Sequence, residues 1–68
     1  MENGKPLKTM IRRADLTQMQ VAAELGIHAS ALSMIIAGYA KLKPELVPKL
    51  AVMLHVPQKK ITDAVQVG

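Results

Sequence analysis

Apolar residues recur along the chain at helical spacing in five short runs, each closed by glycine, proline or a polar cluster. The first run, about Pro6 to Ala14, sets Leu7, Met10, Ile11 and Ala14 on one face of a helix. Pro6 suits the first helical position, where no backbone N–H is needed. The second run, Gln18 to Leu25, turns Val21, Ala22 and Leu25 inward. Thr17 and Gln20 make a T-x-x-Q capping box at its start, and Gly26 stops it. The third run, about Ala29 to Ala37, carries the stripe Leu32, Ile35 and Ile36, with His28 as N-cap residue and Gly38 as stop. Residues 39–43, Tyr-Ala-Lys-Leu-Lys, read as a basic loop. The fourth run, about Glu45 to Leu54, sets Leu46, Val47, Leu50, Ala51 and Leu54 on one face. Pro48 is tolerable there only near the helix start, so an irregular first turn capped by Glu45 is expected. The fifth run, about Gln58 to Val65, opens after Pro57 and is weakly patterned. The expected fold is all-α: a compact five-helix domain with short connections.

Composition narrows the chemistry. Sixty-eight residues make one domain, 1–68, with a short N-terminal arm at 1–5. A chain of this size buries only roughly 60% of its unfolded surface, so its core is small. There is no cysteine, hence no disulfide framework and no thiolate metal site. His28 and His55 are too few and too far apart for a closed zinc site. With no Phe, no Trp and the single Tyr39, nothing offers a stacking platform for single-stranded nucleic acid. No Ser–His–Asp set, Gly-rich phosphate loop or local acid pair points to catalysis, so no enzyme is expected. The longest uncharged stretch, Leu25 to Ala40, has 16 residues and contains two glycines and two serines. It is shorter than the roughly 20 residues a bilayer requires. Met1 to Lys8 lack the apolar core of a targeting segment, and a soluble cytoplasmic protein is expected.

The informative stretch is 18–37, two short helices joined by the tight turn Gly26-Ile27-His28. Ala22 is small enough for a close crossing, Gly26 permits the reversal, and Leu32 and Ile35 fill the angle between the helices. This is the layout of a helix-turn-helix, whose second helix enters the DNA major groove. The chain resembles the lambda-repressor-like (Cro/repressor, XRE-type) helix-turn-helix family. The resemblance rests on Leu16-Thr17-Gln18, Val21-Ala22, Leu25-Gly26-Ile27, Ser30, Leu32-Ser33, Ile35 and Gly38, and continues through Leu50-Ala51 and Leu54-His55-Val56. It implies double-stranded DNA as partner and a homodimer as the binding form. It also implies base-reading positions at Ala29, Ser30, Ser33 and Met34, and phosphate contacts from Gln18, Lys41 and Lys43. For Gln18 an independent reason exists: a polar side chain at a helix N-terminus, where amides and dipole favour an anion.

The chain departs from the family's usual pattern at two places. Its reading face carries none of the Arg, Gln or Asn side chains that make bidentate base contacts. Ile11 and Ile36 occupy positions where many relatives bury an Arg–Glu pair, a replacement that carries no stability cost. Charge placement agrees with a DNA partner. The net charge is +4 with a pI near 9.8. Residues 16–40 hold the single charge Glu24, whereas 1–15 are net +2 and 41–68 net +3. The neutral reading helix is thus flanked by positive segments, with Lys41 and Lys43 directly after it; the bland alternative for these two is a solvated loop. A dimer contact is expected at Ile61, Ala64 and Val65, one stripe on the last helix, unless that stripe closes the core beneath the first helix. The expected function is sequence-specific DNA binding as a phage-type or bacterial transcriptional regulator. The alternative is a protein-interaction module, an antitoxin or assembly factor, that uses the uncharged third helix. No cofactor, metal, membrane or small-molecule ligand is implied.

Overall fold

A computed structural model describes residues 6–68, and the expected N-terminal arm at 1–5 lies outside the described residues. The described chain forms α1 (Pro6–Arg13), α2 (Gln18–Leu25), α3 (Ala29–Ala37), α4 (Leu46–Leu54) and α5 (Gln58–Ala64). The five-helix all-α expectation holds, with ends within a residue or two of those expected. No single helix is long and apolar enough to cross a membrane, and the apolar stretch across α2 and α3 is bent by 106°.

One device ends four of the five helices. Asp15, Gly26, Gly38 and His55 each adopt a left-handed conformation just past a helix. In each case the N–H of the next residue reaches back five positions: Leu16 to Ile11, Ile27 to Ala22, Tyr39 to Met34 and Val56 to Ala51, at 2.9–3.2 Å. The left-handed residue itself bonds three positions back, which completes a Schellman cap. Leu16, Ile27 and Val56 then pack partly against the core. The caps therefore both satisfy carbonyls and steer the chain back over the apolar interior.

Helix starts are less uniform. Thr17 caps α2 as expected: its Oγ1 accepts from the Gln20 N–H at 3.1 Å, and Gln20 Oε1 accepts from the Thr17 N–H at 2.8 Å. His28 occupies the N-cap position of α3 without a side-chain cap bond. At α4, Glu45 is the N-cap residue in a right-handed conformation, also without a side-chain bond. Leu46 and Val47 donate to carbonyls three positions back, Lys43 and Pro44, at 2.9 and 3.2 Å. This tight turn lets Pro48 fall third in the helix, where its missing N–H leaves nothing unsatisfied.

The core is wholly apolar; no polar or charged residue is buried among those described. Leu7 and Ile11 of α1, Val21, Ala22 and Leu25 of α2, Leu32, Ile35 and Ile36 of α3, and Val47, Leu50, Ala51 and Leu54 of α4 meet there. Ile11 and Ile36 are both buried, as expected for an apolar replacement of an ion pair. Helix α4 packs against α1, α2 and α5, whereas α3 packs chiefly on α2 and keeps its outer side open.

The basic loop 39–43 carries an apolar anchor, because Leu42 within it is 0% exposed. After α5 the chain turns at Val65 into extended backbone (φ −137°, ψ 163°) and runs beside Leu42, forming a single parallel bridge from Leu42 to Val67. The dimer contact expected on the last helix needs correction, because burial favours its alternative, closure of the core. Ile61 is 0% and Val65 8% exposed within the single chain, so neither has surface to offer a second copy. Only Ala64 of the three remains half-buried. A core this small needs α5 and the residue after it to close over α1 and α4.

Candidate nucleic-acid interface

Helices α2 and α3 form the site. Their 106° bend follows from the Schellman cap at Gly26 (φ 74°), which reverses the chain in three residues. Leu32 and Ile35 are buried in the angle, and Ala22, also buried, lets the helices approach. With Leu32, Ile35 and Ile36 turned inward, helical periodicity turns Ala29, Ser30, Ser33 and Met34 outward. All four are exposed, so the structure brings the expected base-reading residues onto one open face. Met34 is 48% exposed, a large apolar group kept at the surface.

Gln18, the first residue of α2, is half-buried, and Ser33 Oγ donates to its Oε1 at 3.2 Å. The bond joins the start of α2 to the middle of α3 across 15 residues. With its carbonyl oxygen engaged, the Gln18 amide has its NH₂ donors available, the only groups a phosphate oxygen can use. In the sequence, Gln18 and Ser33 present themselves as separate DNA-contacting positions. Nothing in local spacing signals their bond, because it depends on the crossing angle of the helices.

Lys41 and Lys43 are exposed on either side of buried Leu42. Alternation along extended backbone sends Leu42 inward and both ammonium groups outward. Among the described residues the segment from Leu16 to Ala40 bears one charge, Glu24. The open face is therefore neutral, with positive charge concentrated at its C-terminal border. Arg12 and Arg13 are exposed on α1, outside this face. Lys59 is paired with Asp63 at 3.4 Å on the surface of α5, an exposed pair of little energetic weight. Among the described residues no group of three or more His, Cys, Asp or Glu is arranged to hold a metal ion.

The geometry defines a helix-turn-helix with an accessible second helix. Residues 7–57 match the helix-turn-helix family of XRE/Cro type, three quarters of the chain, and the chain belongs to that family. The family is one of DNA-binding, transcription-regulating domains. Comparison with curated proteins and with solved structures gives no match.

Proposed function

We propose that this protein is a sequence-specific regulator of transcription, of phage or bacterial type, that binds duplex DNA with α3 in the major groove. One observation carries the reading: the exposed face of α3, with Ala29, Ser30, Ser33 and Met34, is uncharged, and is bordered by the lysine pair at 41 and 43 and by Gln18. In it, Gln18, Lys41 and Lys43 hold backbone phosphates and fix the register. Ser30 and Ser33 meet base edges, while Ala29 and Met34 touch apolar surface such as a thymine methyl. Without bidentate side chains, each copy discriminates modestly, and sequence-dependent duplex shape supplies part of the preference.

Two copies on one duplex double the number of groups that meet DNA. Reading helices of a two-fold pair lie about 34 Å apart, one DNA turn. The molecule measures 30 × 23 × 22 Å, so neighbours at that spacing can touch. Their contact lies outside Ile61 and Val65. Selection of bound sequences from random duplex tests the proposal: a near-palindrome with half-sites one turn apart is expected. Recovery of no common sequence would remove the claim of specificity.

The second reading, a module that binds a protein through α3, draws on the exposed apolar side chains of Met19, Met34 and Tyr39. It predicts no retention of duplex at low salt, which separates it from the first.

A further inference from the structure

The family match ends at residue 57, yet the chain beyond it returns to the lysine loop. The Leu42 N–H donates to the Gln66 carbonyl at 2.8 Å, and the Gly68 N–H donates to the Leu42 carbonyl at 3.1 Å. Both backbone groups of Leu42 are thus held by residues 66–68. Its side chain is buried, and Val67 packs partly against the same core. At Gly68 the aliphatic stem of Lys41 lies close: a Cβ added to Gly68 would stand 3.0 Å from Lys41 Cδ. The three-residue segment therefore touches the loop at backbone and side chain alike.

We propose that residues 66–68 are a positioning element for DNA backbone contact: they hold Leu42 in extended backbone so that Lys41 and Lys43 stand ordered at the border of α3. The inference rests on the DNA-binding reading above. A lysine on a mobile loop must lose side-chain and backbone freedom when it meets a phosphate, and that lost freedom weakens binding. A loop fixed beforehand has already given up that freedom on folding.

The test is the full-length double variant Val67→Ser, Gly68→Pro. It removes the apolar anchor and the Gly68 donor, and it alters no charge. Circular dichroism and thermal melting first establish that it folds. Amide exchange then reads Leu42, and duplex binding is measured from 50 to 200 mM salt for variant and wild type. The expected result is a folded helical protein with faster exchange at Leu42. Its affinity for duplex falls at every salt concentration, and its plot of log affinity against log salt is shallower by about one unit for each phosphate no longer neutralised. Its preferred sequence is unchanged, because α3 is untouched. A general loss of stability would lower the folded fraction without changing this slope, so the slope separates positioning from mere folding. A folded variant with wild-type exchange at Leu42, or with wild-type affinity and slope, overturns the inference and leaves the DNA reading intact. A wild-type protein that fails to bind duplex overturns both.

Discussion

At the scale of single residues, the left-handed positions decide how the chain turns. Gly26 and Gly38 are legible in sequence, since glycine directly after an apolar helical run has few other uses. Asp15 and His55 adopt the same conformation and are not legible, because the sequence offers only the apolar residue that follows each. Opposite signs of mutational effect are expected at the two kinds of site. A Cβ at Gly26 meets nothing within 4 Å, so Gly26→Val suffers from backbone strain alone, about 1–2 kcal/mol. In a domain of this size that lowers the melting temperature by roughly 4–16 °C. His55→Gly relieves the same strain, and the extra freedom of glycine in the unfolded chain offsets part of the gain. A net stabilisation of about 0.5–1 kcal/mol is expected. Urea unfolding of both variants checks the pair, and a stabilised Gly26→Val or a destabilised His55→Gly would contradict the cap geometry. The Thr17–Gln20 capping box is visible as four letters because both its bonds are local. The Gln18–Ser33 bond is not, because no short-range rule places α2 against α3.

At the scale of elements, the helices are legible from periodicity and the loop after α3 is not. Lys41-Leu42-Lys43 alternates with a period of two, but three residues are too few to distinguish a strand from a solvated turn. Its partner, residues 66–68, lies more than twenty positions away in sequence. The late start of α4 follows from Pro48, whose missing N–H admits few positions. The candidate site is legible as a face, since burial of Leu32, Ile35 and Ile36 leaves Ala29, Ser30, Ser33 and Met34 outside. Loop and helix are expected to contribute differently. Replacing Lys41 and Lys43 with Ala weakens binding to all duplexes about equally and reduces the salt slope by about two units for each bound copy. Ser30→Ala or Met34→Ala instead changes which sequence is preferred and leaves the slope unchanged. Parallel selections and salt titrations would show the two roles exchanged if the lysine variant altered preference and the helix variants did not.

For the whole molecule, the size of the core governs the outcome. A chain of this length has a stability of about 3–10 kcal/mol, at roughly 0.05–0.15 kcal/mol per residue. Such a core has no apolar stripe to spare, and the last helix, which sequence alone offers equally to a dimer or to the interior, serves the interior. The choice is illegible because both uses require the same spacing. Val65→Asp is therefore expected to unfold the protein or lower its melting temperature sharply, since an unpaired carboxylate enters apolar surroundings. Sedimentation showing a folded, stable monomer would instead restore Val65 to a surface contact. In the proposed DNA-binding reading, function depends on the positive border of a neutral face, and the response of binding to salt reads that arrangement most directly. Lys41 and Lys43 from one copy release counterions with a slope of about −2 in log affinity against log salt, and those from two copies about −4. Titration of a duplex carrying the selected sequence with wild-type protein, from 50 to 200 mM salt, is expected to give a slope in that range. A slope near zero, or no retained duplex at the lowest salt, would contradict DNA binding through this face.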